Sequence, residues 1–519
     1  MFDLLIRNGW VVDGSGAAPY LADVGVTGTT ITAVGRLTGA QAHTVLNAAG
    51  LHVSPGFIDA HVHGDLPLLA DPIHLPALLQ GVTTYIIGQD GSAFAPGSPA
   101  TLEYMRKYTA GFNGLFPEVS NSWNDVPSYL EKYNQTSALN VAFLVPNGNI
   151  RLEVIGHDPR PATPAEIRAM QRMVEQALDA GAVGLSSGLD YIPSKYADTA
   201  ELAAICEPLV PANGVYVTHM RGYGKNAPVG MAEVYEISRR TGVASHISHY
   251  HGHASIMLPL LDEGREEGLD LTVDTYPYMA GSTILGMAAL PAWIQEGGIE
   301  PTLERLAVKS NRERLTTEWF SQPLANALEG LCLSMAVNPE WRWVEGLMVT
   351  EAAERSGRSV CDFICDILID CNLAVGVVAH RGADRTEADV VSILKHPAHM
   401  AGSDGIFTGS RPHPRGYGAF ARYLGYHTRE RGDYTWGQAS VHLSSHAARR
   451  FRLLDRGLIR QGMAADIAIY DPQTIGDTSS YEQGKSPAVG MKHVIVNGTA
   501  ALLDGKPTGA TPGRALRRG

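Results

Sequence analysis

The 519-residue chain has few cysteines and few charged residues for its length, and it has no long hydrophobic run. Its five cysteines are an odd number, so they cannot all pair within the chain, which favours a reducing compartment such as the cytoplasm. No uninterrupted apolar stretch approaches the roughly 18 residues of a membrane helix. The first residues, MFDLLIRNG, lack the pattern of a signal peptide. These absences predict a cytoplasmic protein that does not bind a membrane.

Positive charge is also scarce. Lys and Arg total 41 against 53 Asp and Glu, a net charge of −12, and a short basic cluster, Arg514, Arg517 and Arg518, lies in the last six residues. A protein whose main ligand is nucleic acid carries a basic stripe, so nucleic-acid binding is not expected. Charged residues make up 18% of the chain and hydrophobic residues 45%, which is typical of a large, well-buried enzyme and excludes a disordered chain or a coiled coil.

Strand patterns occupy both ends of the chain, and strands alternate with helices in the middle. Residues 2–49 and 463–505 alternate apolar and polar positions between turns. Eight apolar segments lie between them: 57–63, 83–90, 140–147, 182–188, 214–220, 244–249, 270–278 and 398–404. Apolar strands that alternate with helices indicate a parallel sheet covered by helices, and eight of them predict a (β/α)8 barrel of the TIM type. An open doubly wound sheet is the alternative, although no glycine-rich phosphate loop follows the first strand.

The predicted domain organisation follows from this pattern. Residues 1–55 and 455–519 are expected to form one discontinuous β-sandwich domain, because chain termini often lie close together. Residues 56–454 are expected to form the α/β barrel. The interval between the seventh and eighth segments is far longer than a crossover helix requires, and it predicts an inserted subdomain or lid at about 285–375.

Polar residues follow the predicted barrel strands, whose carboxyl ends form the active-site face of such a barrel. His61 and His63 are two residues apart on one strand, so they point to the same side. Asp90 ends the second strand, His219 and His249 end two later strands, and Asp404 ends the last. A lone histidine is more often structural, but four histidines and two carboxylates on five strands predict a metal centre. These ligands suit Zn²⁺, and also Mn²⁺, Fe²⁺ or Co²⁺.

The segment GFIDAHVHGD resembles the metal-binding segment of the amidohydrolase superfamily. The resemblance narrows to the D-aminoacylase (N-acyl-D-amino-acid deacylase) family. It continues through GVTTYIIGQDG, GLSSGLDYIPSKYA, VTHMRG, ISHYHGH, DTYPYMAGST, GSDG with HPRGYGAFARYLG, and DRGLIRQGMAADIAIYDP. It implies a metal-dependent barrel with a β-sandwich, and hydrolysis of the amide bond of a small N-acyl amino acid that carries a carboxylate.

The resemblance also implies roles for individual residues. It places a tighter ion on Asp90, His219 and His249, and a weaker one on His61, His63 and Asp90; a single ion on either set is compatible with it. Asp404 would act as general base and acid while metal-bound hydroxide attacks the carbonyl. Arg415 would pair with the substrate carboxylate. Further substrate-side candidates are Tyr278, His251, Tyr191, Ser187 and Arg151.

Three positions depart from the family pattern. Asp90, in Gly88-Gln89-Asp90-Gly91, stands where the family usually has a cysteine that bridges the metals. A carboxylate can bridge two ions but is a harder ligand, which favours a shift away from zinc alone; the alternative is that Asp90 is a turn residue before Gly91. His251 replaces a usual lysine and Asn147 a usual histidine. These changes predict a non-standard acyl or amine portion of the substrate.

The sequence leaves three other functions open: a dipeptidase, a cyclic-amide hydrolase of the dihydroorotase or hydantoinase kind, or an inactive scaffold with the amidohydrolase fold. The fourth strand segment, AVGLSSG, has no lysine for carboxylation, which counts against a cyclic-amide hydrolase. The complete histidine and aspartate set counts against an inactive scaffold. The substrate's chirality, the number of ions and the oligomeric state are not predicted, and a homo-oligomer is left open.

Overall fold

A computed structural model describes residues 1–120, 122–321, 328–380 and 385–519. The strands of these residues are β1 (Phe2–Val11), β2 (Tyr20–Thr27), β3 (Thr30–Gly35), β4 (Ala42–Asn47), β5 (His52–Pro55), β6 (Phe57–Asp59), β7 (Val82–Ile87), β8 (Asn140–Pro146), β9 (Gly184–Gly188), β10 (Val215–His219), β11 (Ala244–Ile247), β12 (Leu271–Thr275), β13 (Gly281–Ile284), β14 (Leu331–Ala336), β15 (Val375–Ala379), β16 (His399–Ala401), β17 (Ile467–Tyr470), β18 (Met491–Val496), β19 (Thr499–Leu503) and β20 (Lys506–Pro507).

The longer helices of the described residues are Pro99–Tyr108, Asn147–Ile155, Pro164–Asp179, Thr199–Cys206, Ala227–Thr241, Ala254–Glu266, Ile299–Ala307, Val349–Ser356, Val360–Asp370, Glu387–Leu394 and Arg415–Arg422. Shorter helices are Asp65–Ala70, Leu75–Leu78, Ala110–Asn113, Val126–Glu131, Leu285–Ala289, Ala292–Gln295, Lys309–Arg314, Trp436–Ser440 and His446–Arg450, with π-helical turns at Leu315–Trp319, Tyr423–Glu430 and Val441–Ser445. Within the described residues, every helix is too short or too polar to cross a membrane.

Eight parallel strands form a barrel, as the eight apolar segments predict. The strand order is β6-β7-β8-β9-β10-β11-β12-β16, and each predicted segment overlaps one strand. The last strand returns to the first just beyond their ends: Asp404 N donates to His61 O at 2.7 Å, and His63 N donates to Gly405 O at 3.0 Å. This closure brings residues that are more than 340 positions apart to the same end of the barrel.

Local sequence explains the regular alternation of the barrel. Strands β7 and β8 are buried along their whole length, because helices cover their outer face. The helix Pro164–Asp179 begins with a capping box, in which the Thr163 side chain accepts from Glu166 N and the Glu166 carboxylate accepts from Thr163 N. It ends before Gly181, whose φ of +109° is accessible to glycine. Thr163 and Gly181 are the limits that the sequence pattern predicts.

Both ends of the chain contribute to one nine-stranded sheet. Strand β5 pairs with β1 in parallel and with β17 in antiparallel orientation, so amino-terminal and carboxyl-terminal strands lie side by side. Ile6, Val24, Val53, Ile467 and Ile495 are fully buried in a core of their own against this sheet. The division into domains at residues 55 and 455 stays a prediction.

The long interval between β12 and β16 contains a three-stranded antiparallel sheet in the order β13-β15-β14, together with helices. It has its own buried cluster, which includes Leu333, Phe363 and Val377. Cys361 and Cys365 lie on its helix Val360–Asp370, both are buried, and all five cysteines of the chain are free thiols. The predicted subdomain at 285–375 falls within this interval, and its role as a lid stays a prediction.

A buried ion pair connects the terminal sheet to the barrel. Asp466, which precedes β17, accepts from Asn140 Nδ2 at the start of β8 at 3.0 Å and from Asn497 N at 2.7 Å, and it pairs with Arg456. Asp466 and Arg456 are both buried, so the loss of one charge leaves the other without its buried partner.

We expect Asp466→Ala to lower the free energy of unfolding by about 3 kcal/mol, because Arg456 then stays buried without its closest carboxylate. The matched control is Asp455→Ala. Asp455 also pairs with Arg456 but is 65% exposed, so its loss is expected to cost less than about 1 kcal/mol. Urea unfolding followed by circular dichroism measures both variants, and equal losses would contradict the prediction.

Candidate metal centre

Six buried side chains meet at the carboxyl end of the barrel strands. Strand β6 is followed by His61 and His63, β7 by Asp90, β11 by His249 and β16 by Asp404, while His219 ends β10. Parallel strands present their carboxyl ends at one face of a barrel, which explains why residues from five strands lie together.

Asp90 lies in the middle of this cluster. Its Oδ1 is 3.6 Å from Nε2 of His61 and 3.8 Å from Nε2 of His249. Its Oδ2 is 3.6 Å from Nε2 of His63 and 3.8 Å from Nδ1 of His219. Ligands on a tetrahedral ion with bonds of about 2.1 Å are separated by about 3.4 Å. Each carboxylate oxygen therefore faces two imidazoles at a separation close to that of ligands on a shared ion.

Two overlapping groups have the compactness of a metal site. The ligand atoms of His61, Asp90 and His249 lie within 4.8 Å of one another, and so do those of His61, His63 and Asp404. His61 belongs to both groups, whereas the resemblance assigns Asp90 to both ions. His219 adds its Nδ1 on the side of Asp90 Oδ2.

Several buried polar atoms of the cluster have no hydrogen-bond partner in the part of the chain that the structure describes. They are both ring nitrogens of His61, Nδ1 of His219 and Oδ1 of Asp90. Nδ1 of His61 faces Asp274, whereas Nε2 of His61 and Nδ1 of His219 face the Asp90 carboxylate. Buried polar atoms are nearly always hydrogen-bonded, so these unpaired atoms around Asp90 indicate a missing ligand. Imidazole nitrogens and a carboxylate are the donors that Zn²⁺ and related divalent ions take. The residues present therefore fit a divalent metal.

Three residues of the cluster have left-handed backbone conformations. The φ angles are +54° at Asp90, +34° at His249 and +50° at Asp404. Residues other than glycine rarely adopt such angles, and strain of this kind persists where the surrounding structure enforces it, often at functional sites. Asp90 thus combines a conformation that is usual in turns with a position among four imidazoles.

Asp274 supports the cluster from β12. Its carboxylate accepts from His249 N at 2.9 Å, lies 2.9 Å from Nε2 of His246 and is 3.5 Å from Nδ1 of His61. A carboxylate next to the far nitrogen of a ligating imidazole fixes its tautomer and orientation. The sequence places Asp274 at a strand end but does not indicate this role.

Asp190 supports His219 in the same way. Its Oδ2 is 3.3 Å from Nε2 of His219, whose Nδ1 faces Asp90. A proton on Nε2 leaves the lone pair of Nδ1 for a metal. Asp190 was not among the predicted site residues, although it lies two residues after β9 and next to the candidate Tyr191.

The negative charge of the site raises the pKa of two imidazoles. Burial alone would lower the pKa of His61, but the charges of Asp274 and Asp90 outweigh it and raise this pKa to about 9. Burial is likewise outweighed at His219, where Asp190 and Asp90 raise the pKa to about 10. Without a metal, protons therefore occupy the nitrogens that a cation would bind.

Asp404 is held by a buried cation. Nη1 of Arg415 lies 2.8 Å from Oδ2 of Asp404, and the guanidinium carbon lies 4.6 Å from the ring centroid of Tyr276. Burial would raise the pKa of Asp404, but Arg415 and the neighbouring imidazoles hold it well below its usual range. Oδ1 points away from Arg415, 3.3 Å from Nε2 of His63. Asp404 is therefore a charged carboxylate with one oxygen clamped and the other facing the cluster.

The cluster opens into a cavity of about 400 Å³, a size that suits a small molecule. The walls combine apolar and polar groups. Besides residues of the cluster, they include Phe112, Tyr191, Met287 and Ile406 on the apolar side, and Asp190, Lys225, His251, Tyr276 and Arg385 on the polar side.

Two of the predicted substrate-side residues line this cavity. The hydroxyl of Tyr191 is hydrogen-bonded to that of Thr283 at 2.9 Å, and His251 stacks on Tyr223 with 4.6 Å between ring centroids. Arg415 is fully buried beside Asp404 and does not reach the cavity surface.

The other three predicted residues have partners elsewhere. Tyr278 donates to Asp477 at 3.1 Å and lines a neighbouring cavity, since the backbone turns between Tyr276 and Tyr278. Ser187 is hydrogen-bonded to Tyr216 and Thr218 inside the barrel wall. Arg151 is fully buried and forms an ion pair with the buried Glu201 at 3.0 Å. Each of the three side chains therefore has a structural contact instead of a position on the cavity wall.

Comparison with known proteins decides the family. A model of the amidohydrolase family matches residues 44–501. The chain belongs to this family. It is 32% identical to the D-aminoacylase of Alcaligenes xylosoxydans xylosoxydans over 100% of this chain and 98% of that protein. It is also 32% identical to the N-acyl-D-glutamate deacylase of the same organism, over 99% of this chain and 96% of the relative.

A solved structure agrees with these relatives and with the resemblance that the motifs carry. It is the N-acyl-D-glutamate deacylase from Bordetella bronchiseptica, in complex with zinc and a phosphonate inhibitor that mimics the tetrahedral intermediate. The TM-score is 0.84 at 30% identity, with 99% of each chain covered.

We expect metal uptake by the metal-free amidohydrolase to release about two protons near neutral pH, because His61 and His219 must lose protons before they can bind. The affinity for Zn²⁺ should therefore increase as the pH rises from about 6 to about 9. Titration calorimetry in buffers with different ionisation enthalpies measures the released protons. Asp190→Asn is the matched control, since it removes a charge that raises the pKa of His219 and should reduce the release. A pH-independent affinity would contradict the prediction.

Proposed function

We propose that this amidohydrolase hydrolyses the amide bond of N-acyl-D-amino acids with the help of one or two divalent ions. The observation that carries the proposal is the charged Asp404, which faces the same cavity as the imidazole cluster around Asp90. The full-length relatives are D-amino-acid deacylases by name, and this favours a linear N-acyl substrate over a dipeptide or a cyclic amide. The complete set of donors argues against an inactive scaffold.

The proposed metal ligands are His61, His63, Asp90, His219 and His249. Zinc is the proposed ion, since it occupies the related deacylase from Bordetella bronchiseptica; a carboxylate in place of a thiolate also suits Mn²⁺ or Co²⁺. Such an ion, when bound, lowers the pKa of a water ligand and polarises the substrate carbonyl.

Asp404 is the proposed general base and acid. Its Oδ2 is held by Arg415, so Oδ1 is the oxygen that accepts a proton from the attacking water. The same oxygen then donates this proton to the nitrogen of the leaving amine. The low pKa of Asp404 ensures that the carboxylate is charged when the water attacks.

The substrate's α-carboxylate is one carbon away from the scissile nitrogen. It would therefore lie near Asp404, whose ion-pair partner Arg415 is buried and does not line the cavity in this structure. Binding of the α-carboxylate by Arg415 stays a prediction. His251 and Tyr191 are the proposed contacts for the rest of the substrate, and Phe112 and Ile406 supply apolar surface for the acyl group.

A hydrolysis panel tests the reaction. We expect activity on N-acetyl-D-amino acids, with little on their L-enantiomers, on dipeptides or on hydantoins. Removal of metal by a chelator should abolish the activity, and Zn²⁺, Mn²⁺ or Co²⁺ added in turn should restore it. Unchanged activity after verified metal removal, or a preference for hydantoins, would contradict the proposed function.

A second test concerns the proton transfers. We expect Asp404→Asn to lower kcat by about 10²–10⁴-fold, because the amide cannot accept the proton of the attacking water. The metal content, measured by elemental analysis, should be retained through the remaining ligands. Asp477→Asn is the matched control, because Asp477 lies outside the cavity beside Tyr278 and should leave kcat nearly unchanged. Near-normal turnover of Asp404→Asn would exclude this role.

A further inference from the structure

Arg385 is a buried cation on the wall of the candidate active-site cavity. It is 4% exposed, and its guanidinium carbon lies 5.4 Å from the ring centroid of Tyr276. Two backbone carbonyls hold it in place: Nε donates to Met279 O at 3.2 Å, and Nη2 donates to Tyr278 O at 2.7 Å. The side chain is therefore oriented before any ligand binds.

No carboxylate among the described residues lies within 4.0 Å of the Arg385 guanidinium, and Nη1 makes no hydrogen bond to any of these residues. Three other buried arginines, Arg151, Arg415 and Arg456, each have a carboxylate partner. Burial of a charge without a counter-ion is costly, and carbonyl oxygens offset only part of that cost. A cation of this kind on a cavity wall indicates an anionic ligand.

The geometry of the guanidinium specifies what it can bind. Nε and one proton of Nη2 are occupied by carbonyls, which leaves the edge formed by Nη1 and the second proton of Nη2. Two parallel N–H groups at such an edge match the two oxygens of a carboxylate. A carboxylate is therefore the ligand that this edge fits.

The position of Arg385 distinguishes between two carboxylates of a substrate. Arg415 touches Asp404 at 2.8 Å, whereas Arg385 does not lie within 4.0 Å of it. Both guanidinium carbons contact the ring of Tyr276, at 4.6 and 5.4 Å from its centroid, so they are at most 10 Å apart. Arg385 is thus farther from the proton-transfer group than Arg415, and both cations lie against the same aromatic ring.

The other charged groups around the cavity leave Arg385 available for a ligand carboxylate. Asp90 and Asp190 face imidazoles and Asp404 is paired with Arg415, so these carboxylates are already compensated. Lys225 is exposed at the cavity and adds a second positive charge.

We propose that Arg385 binds a carboxylate on the side chain of the substrate, so that this amidohydrolase acts preferentially on N-acyl derivatives of acidic D-amino acids. The inference rests on the proposed function, since it presumes that the α-carboxylate lies beside Asp404. Arg385 is then a specificity-determining residue that contacts the substrate and takes no part in the proton transfers.

The experiment compares N-acetyl-D-glutamate with N-acetyl-D-glutamine, which has nearly the same shape and no side-chain charge. The metal-loaded wild-type enzyme should prefer the glutamate by about 30-fold in kcat/KM, the effect expected for a charge-assisted pair. Arg385→Met should lower kcat/KM for the glutamate by about this factor and leave the value for the glutamine nearly unchanged. Arg385→Lys, which keeps the charge without the planar edge, should fall between the two.

Arg422→Met is the matched control. Arg422 donates to Pro277 O at 2.9 Å and stacks on Tyr278, so it holds the same backbone segment from outside the active-site cavity. The Arg422→Met variant should leave the preference for N-acetyl-D-glutamate over N-acetyl-D-glutamine unchanged. An equal loss for both substrates in Arg385→Met would overturn the inference, because it would indicate binding of the α-carboxylate or a purely structural role.

Binding measurements separate this inference from the proposed function. In the metal-loaded wild type, calorimetry should show tighter binding of D-glutamate than of D-glutamine, and Arg385→Met should remove the difference. If D-glutamate binds more tightly than D-glutamine but the enzyme hydrolyses no N-acyl-D-amino acid, the proposed function is overturned and the role of Arg385 is not. Equal binding of the two amino acids by the wild type would overturn the role of Arg385, whatever the activity.

Discussion

The site depends on the closure of the barrel between its last strand and its first. Hydrogen bonds from Asp404 N to His61 O and from His63 N to Gly405 O place the carboxylate of one strand against the imidazoles of the other. Because backbone bonds on a closed sheet are rigid, the distance from Asp404 Oδ1 to His63 is set by the sheet and not by a flexible loop. Asp90, His249 and Asp404 share positive φ angles at the ends of their strands.

Charge compensation explains how so many buried carboxylates coexist. Asp90, Asp274 and Asp190 surround His61 and His219 with negative charge. This raises the pKa of both imidazoles, so both are protonated when no metal is bound. A divalent cation would compensate the same carboxylates with more positive charge. Asp404 is compensated separately by its ion pair with Arg415. The same principle distinguishes Arg385, which is buried at the cavity without a carboxylate among the described residues. In this site, unpaired charge marks the places where a ligand is expected.

The cluster and the cavity accommodate the departures from the pattern that the resemblance implies. Asp90 occupies the centre of the imidazole cluster, so a carboxylate stands where the bridging thiolate is usual. His251 lines the cavity at the position where the resemblance implies a lysine. Arg385 supplies a cation from the interval between β12 and β16, on another wall of the same cavity.

Apolar periodicity predicted the eight-stranded barrel, and residue types at the strand ends predicted the cluster, since strand ends of a parallel barrel necessarily share one face. The family followed from the resemblance of longer motifs such as GFIDAHVHGD. Position along a strand does not show where a long side chain ends. Arg151 turns to Glu201, Tyr278 to Asp477 and Arg415 to Asp404, and only the packing of distant segments decides this. For the same reason the proposed roles of Asp190 and Arg385 follow only from the tertiary structure, because they depend on neighbours that are remote in the chain.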